Sequence, residues 1–274
     1  KWGIPLPWDK EHVFYVWFDA LLNYLSALKI TSISAWPPDV QLMAKDILRF
    51  HALIWPAILL AGEENLPKKI FVHGYFTVEG KKMSKTLGNA VNPTETAEKY
   101  GAGALRYFLL REFPFGEDGD YAEENLIKRY NSELADDLGN LLQRTLVMIK
   151  RFKIKVTDKH REIRHNGIIE DKIENLDFQG ALSEINRTIK GANAYIDKEK
   201  PWELVSDAQK SREMGLETDQ KTKFEEIFLH LISTLHQVAY YLEPFMPREI
   251  LEMQKQLKTL KPQPIFPKIK SLKH

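Results

Sequence analysis

Cysteine is wholly absent from these 274 residues, which excludes a disulfide framework and any metal site built on thiolates. Neither sign of charge is in excess. Lys and Arg number 39 against 38 Asp and Glu, a net +1, so bulk charge cannot coat nucleic acid and any such contact must come from local patches. No apolar run approaches the roughly 20 residues that cross a bilayer, and the longest, residues 52–61, contains Trp55 and Pro56 and reads as buried helix. No membrane partner is expected. An initiating methionine and a signal segment are also lacking: Lys1 leads into a Trp- and Pro-rich stretch, and the sequence reads as part of a longer polypeptide.

What is present divides into two halves. Residues 12–18 (HVFYVWF) and 69–73 (KIFVH) are β-branched and aromatic runs of strand length, with too little alternation for a surface strand. Leucines at 21, 22, 25 and 28 predict a helix after the first run, and Ile47, Phe50, Ile54 and Ile58 predict a second over residues 46–61, closed by Gly62. Strand, helix, strand and then a glycine-bounded loop at residues 80–88 indicate part of an open α/β sheet. Helical spacing resumes at residues 94–110, and Pro114, Gly116 and Gly119 mark a boundary. Beyond it no comparable strand occurs. Long amphipathic stretches at 123–152, 168–198 and 221–242 predict an all-α bundle, with a loop at 215–219. Residues 255–274 hold six lysines and no acid, a basic tail. The expected domains are therefore residues 1–115, 116–256 and 257–274.

The most informative short segment is Lys81-Lys82-Met83-Ser84-Lys85-Thr86 between Gly80 and Gly88. Small residues admit a phosphate to the backbone, and lysine ammonium groups can follow charge that develops on phosphoryl oxygens. A lysine-rich loop alone is more often a solvated surface. Ile47, His51 and Trp55 lie at i, i+4 and i+8, one helix face, which by itself describes core packing with a hydrogen-bonded histidine. Counting about 100° per residue from Leu138, Leu134, Leu141 and Leu142 share its face, whereas Asn140, Arg144 and Arg151 lie opposite. Amide and guanidinium groups there can read unpaired bases, or simply face water.

Context decides, because Lys82 to Thr86 closely resembles the KMSKS loop of the class I aminoacyl-tRNA synthetases. Tyr15-Val16-Trp17-Phe18-Asp19-Ala20, Lys45-Asp46-Ile47-Leu48-Arg49-Phe50-His51 and Trp55-Pro56-Ala57 resemble the substrate-pocket motifs of that family's methionine-specific branch. The resemblance continues through Gly139-Asn140-Leu141-Leu142-Gln143-Arg144 and Lys200-Pro201-Trp202 to Phe266-Pro267-Lys268. It implies the second half of a Rossmann-type nucleotide-binding sheet followed by an α-helical anticodon-binding bundle.

The activity implied is ligation of methionine to tRNA(Met). ATP with Mg²⁺ enters as a substrate, and methionyl-adenylate is the intermediate. By the same resemblance Lys85, with Lys82 and Ser84, stabilises the departing pyrophosphate. Trp17, Ala20, Tyr24, Ile47, His51 and Trp55 shape the methionine slot, with Asp46 binding the substrate or adenylate. A thioether suits such aromatic walls. Asn140, Arg144, Pro201 and Trp202 are placed against the anticodon. Asp46 could equally cap a helix, and Pro201-Trp202 could open one and pack inward.

Departures are specific. The family's His-Ile-Gly-His type motif and its zinc-bearing insertion are missing, so no zinc site is expected. The first half of the sheet would come from elsewhere, as from a separate polypeptide, and the chain alone would be inactive. Ala44 stands where the family generally has glycine, a cost of about 1 kcal/mol if φ there is positive. The compartment implied is a cytoplasm, or the matrix of a mitochondrion or plastid. The rivals are a synthetase for another aliphatic amino acid and a non-catalytic tRNA-binding protein.

Overall fold

The first apolar run does not become a strand. In the computed structural model, which describes residues 2–31, 33–84, 86, 88–203 and 218–270, Val13 makes one isolated bridge to Pro5, and helix α1 (Val16–Thr31) begins inside the run. Extended backbone needs ladder partners for its N–H and C=O groups, whereas a helix satisfies them internally. Among the described residues this segment finds only the short bridge around Pro5, with the Leu6 N–H donating to the His12 carbonyl and the Phe14 N–H to Ile4, and the Asp9 carbonyl, which accepts from the His12 N–H. Val13, Phe14, Val16 and Phe18 stay exposed as a result.

The chain forms two units, Lys1–Tyr75 with Gly116–Asp118, and Phe76–Phe115 with Gly119–His274. The expected domain of residues 1–115 is thereby divided. Residues 76–115 belong with the helices because Tyr100, Ala104, Leu105, Tyr107 and Phe108 enter the helical core.

In the sheet unit, β1 (Gln41–Ala44) and β2 (Ile70–His73) pair in parallel, with Gln41 opposite Ile70 and Ala44 opposite His73. The helix joining them changes pitch: Lys45–Ile47 is a 3₁₀ turn, Phe50–Ile54 a π turn, and α2 (Trp55–Ala61) regular. Pro56 explains the widening, since its ring would crowd the carbonyl four residues back and it has no N–H to give. Trp55 accordingly donates its N–H to the Phe50 carbonyl, five residues back. Leu21, Trp55 and Leu59 are the buried centre, packed by Trp17, Leu22, Leu25, Trp36, Ile54 and Ile58.

In the helical unit, β3 (Phe76–Val78) and β4 (Lys81–Lys82) form a hairpin, and β5 (Gly119–Asp120) runs parallel to β3. Helices α3 (Pro93–Tyr100) and α4 (Ala102–Glu112) replace the single expected helix, broken where Gly101 adopts φ 93°. α5 (Glu123–Arg129) runs through a π stretch, Tyr130–Gly139, into α6 (Asn140–Phe152). The next expected stretch is also two helices, α7 (Gly167–Glu174) and α8 (Phe178–Glu199), and Asp177 caps the second by accepting from the Gly180 N–H at 2.8 Å. α9 (Thr218–Leu242) and α10 (Pro247–Thr259) follow. Of the loop expected at 215–219, residues 215–217 lie outside the described residues, and Thr218 already opens α9.

The basic tail is not free. α10 extends to Thr259, and residues beyond it pack on the π stretch: Phe266 is buried, Lys268 pairs with Asp136 at 2.8 Å, and the Asn131 side chain exchanges two hydrogen bonds with the Ile269 backbone.

Candidate functional site

The aromatic residues of the sheet unit gather around His51. Its Nδ1 lies 3.0 Å from the Ile47 carbonyl, an acceptor only, so the proton of the neutral ring sits on Nδ1. Nε2 then accepts from the Tyr24 hydroxyl at 2.9 Å. Trp17 meets His51 edge-on at 6.1 Å and stacks on Phe50 at 4.1 Å with 10° between planes. Tyr24 also approaches Trp55 at 6.0 Å. Trp17, Tyr24, His51 and Trp55 are thus brought together, with Ala20 one turn from Tyr24 on α1 and Ile47 holding the histidine. His51 and Trp55 are buried, Trp17 half-buried, Tyr24 exposed. The arrangement offers flat apolar faces and one fixed phenol.

Asp46 does not cap the helix: the cap position is Ala44, with no side-chain cap bond. Ala44 has φ −79°, so alanine carries no penalty there. Burial, and after it the neighbouring Asp46 carboxylate, push the Tyr75 phenol's pKa up. Phe50 and Tyr75 carried no signal that assigned them a role.

The lysine-rich segment of the helical unit is a hairpin arm as well as a loop. Glu79 and Gly80 both have positive φ, the two-residue turn that matches strand twist, and Lys81 and Lys82 pair with Val78 and Thr77. Asp120 holds the turn, accepting from the Thr77 hydroxyl at 2.6 Å and the Gly80 N–H at 2.9 Å; those donors keep its carboxyl below the usual range. Asn89 closes the loop by accepting from the Ser84 N–H and donating to the Lys82 carbonyl. Lys82 is exposed and Ser84 half-buried, while Lys85 lies outside the described residues.

A second cluster of the helical unit forms where α6 meets the end of α8. The Arg144 guanidinium lies 5.5 Å from the Trp202 ring centroid and donates to Asp197 at 2.8 Å. Asn140 is exposed one turn before Arg144, Pro201 is buried, and Trp202 is 44% exposed, so its ring does not pack into the bundle as the alternative reading of Pro201-Trp202 required. Asp197 was not legible in advance, being 53 residues from its partner.

A family model described as tRNA synthetases class I (M) matches residues 1–146. This chain belongs to the class I tRNA synthetases. The synthetase chain is 42% identical over 274 residues to methionine–tRNA ligase of Caldanaerobacter subterraneus subsp. tengcongensis, covering 93% of this chain and 41% of the relative. It is 39% identical to the same ligase of Halalkalibacterium halodurans, covering 93% and 40%. It therefore spans about two fifths of the length of these curated relatives. Among solved structures, Mycobacterium tuberculosis methionyl-tRNA synthetase in complex with methionyl-adenylate superposes with TM-score 0.77 at 32% identity, covering 97% of this chain and 58% of that one. The apo form gives 0.76 at 28% identity, covering 98% and 59%. Among the described residues of the synthetase chain, no group of three or more His, Asp or Glu could hold a metal ion, and no helix is long and apolar enough to cross a membrane.

Proposed function

We propose that this chain is the part of a methionine–tRNA ligase that holds the methionine side chain, the KMSKS-type loop and the anticodon. The complete polypeptide would join methionine to ATP·Mg²⁺, releasing pyrophosphate and forming methionyl-adenylate, and then pass the aminoacyl group to tRNA(Met). The observation that carries this reading is the Tyr24 to His51 hydrogen bond inside the aromatic cluster. A buried imidazole with its proton fixed on Nδ1 orients the phenol, and a polarizable thioether gains from the surrounding ring edges by about 0.3–1.5 kcal/mol.

Asp46 serves the substrate or adenylate, Trp17, Ala20, Ile47 and Trp55 bound the slot, and Lys82, Ser84 and Lys85 act on pyrophosphate. The solved relative bound to methionyl-adenylate supports ATP as the second substrate. In the helical unit, Asn140 and Arg144 read anticodon bases, with Trp202 following Pro201 as a stacking surface worth about 1–3 kcal/mol per base. Its exposure beside the Arg144 cation supports that role. Because these relatives exceed this chain in length, a companion polypeptide finds no support in them. Their bacterial sources favour a cytoplasmic setting.

Tyr24→Phe tests the reading. In the complete polypeptide it is expected to raise the methionine KM in ATP–pyrophosphate exchange by up to about tenfold, the loss of one hydrogen bond of about 0.5–1.5 kcal/mol, and to leave the ATP KM within about twofold. An unchanged methionine KM contradicts the assignment.

A further inference from the structure

In the helical unit, one face of α7 and the turn from α9 into α10 border an open cavity of about 580 Å³, within the range of small-molecule sites, about 300–1,000 Å³. None of its lining residues belongs to the clusters described above. α7 contributes Glu170, Ile173 and Glu174, spaced i, i+3 and i+4 and therefore on one helix face. Tyr240 and Tyr241 stand at the end of α9, their rings 5.0 Å apart at 76°, an aromatic corner. The turn and the start of α10 add Glu243, Pro244 and Pro247.

The charge lining this cavity is all of one sign. It carries three carboxylates and no lysine or arginine, and among the described residues no ammonium or guanidinium pairs with Glu170, Glu174 or Glu243. Glu170 and Glu174 sit at i and i+4, where like charges destabilise a helix. Neighbours hold two of the carboxylates in place: Glu170 Oε1 accepts from the Tyr241 hydroxyl at 2.8 Å and meets His165 Nδ1 at 2.7 Å, and Glu243 Oε2 accepts from the Gln254 amide at 3.0 Å. A bound cation would relieve the repulsion. The three groups do not converge on one point, since no group of three or more acids or histidines among the described residues could hold a metal ion. The occupant that fits is therefore extended, with charges far enough apart to reach separate carboxylates. Its body has to suit Ile173 and two proline rings, and the tyrosine faces add attraction for a cation.

We propose that this cavity binds an aliphatic polyamine, with its ammonium groups on Glu170, Glu174 and Glu243 and its methylene spine along Ile173, Pro244 and Pro247. A lysine side chain of a partner protein would bring similar chemistry but a single charge, and three carboxylates favour a ligand that carries several. Titration calorimetry with spermidine tests this on the complete polypeptide, without tRNA, whose phosphates also attract cations, at about 0.15 M salt. One saturable site is expected. Glu174, Tyr240 and Glu243 are exposed, so substitutions there leave the core intact. Glu174→Gln combined with Glu243→Gln should weaken spermidine about tenfold, the loss of two partly exposed ion pairs, and Tyr240→Ala about threefold. Hexylamine, with one ammonium, should bind about tenfold more weakly than spermidine, and an uncharged diol of spermidine's length should not bind. The proposal is overturned by the absence of saturable spermidine binding, by equal affinity in the variants, or by a diol or hexylamine that binds as tightly. A lysine-rich peptide that binds where spermidine does not would overturn it as well.

Discussion

The two units are held together very differently. The helical unit has a continuous apolar core from Tyr100 to Phe266, drawing on every helix from α3 to α10. Among the described residues, the buried cluster of the sheet unit is Leu21, Trp55 and Leu59, while Val13, Phe14, Val16, Phe18 and Leu42 are exposed. Parallel strands are ordinarily covered on both faces, and two strands are marginal by themselves. Stability therefore resides in the helices, whereas the residues proposed to hold the amino acid sit on the thinner scaffold. Trp55 belongs to both the core and the slot, so in the sheet unit packing and binding share one side chain.

The largest test of this contrast is Trp55→Ala. Deleting a fully buried Trp costs about 3–5 kcal/mol, which approaches the whole stability of a small folded unit, about 5–15 kcal/mol. Backbone amides of β1 and β2 should lose hydrogen-exchange protection while those of α6 and α8 keep theirs. Protection lost uniformly would show that the two units share one cooperative core. An intermediate effect is expected for Asn131→Ala, which removes both side-chain bonds to Ile269 and should lower the stability of the helical unit by about 1–2 kcal/mol. Thermal unfolding unchanged by this substitution would mean that residues 260–270 lie against the bundle without supporting it.

The smallest effect is electrostatic. Asp118 is held below the usual carboxylate range chiefly by the Lys45 ammonium, and Asp120 chiefly by the uncharged Thr77 hydroxyl. Each lowered carboxylate contributes stability that is complete above its unfolded pKa and lost as pH falls through its folded one. Salt screens a charge but not a hydroxyl, and at 1 M the Debye length is about 3 Å. Carboxyl titration followed by NMR should therefore show Asp118 moving up with salt while Asp120 stays low. If the two respond alike, the causes assigned to them are wrong.

Much of this organisation could be read from residue patterns. The run at 69–73 became β2, the stripe of Leu134, Leu138, Leu141 and Leu142 became a buried helix face while only Leu21 of the first stripe is buried, and the ordered motif segments pointed to the family that the comparisons show. The failures have physical causes. Residues 12–18 carry strand composition, yet composition says nothing about whether a neighbour exists to pair with. β1 was missed because Gln41-Leu42-Met43-Ala44 holds no β-branched residue. The hairpin turned on Glu79 accepting positive φ, a conformation no pattern marks. Asp118 and Asp120 were invisible because they act on residues 40 to 73 positions away, a proximity that only folding creates.

The account's central claim is that the aromatic cluster around His51 belongs to a slot for methionine. An amino-acid panel in ATP–pyrophosphate exchange, run on the complete polypeptide carrying this sequence, tests it most directly. The account predicts exchange with methionine and, because a hydrophobic slot discriminates by about 10- to 200-fold per methylene-sized difference, far weaker exchange with leucine, isoleucine and valine. Exchange as fast with leucine as with methionine, or tRNA binding with no amino acid activated at all, would contradict it.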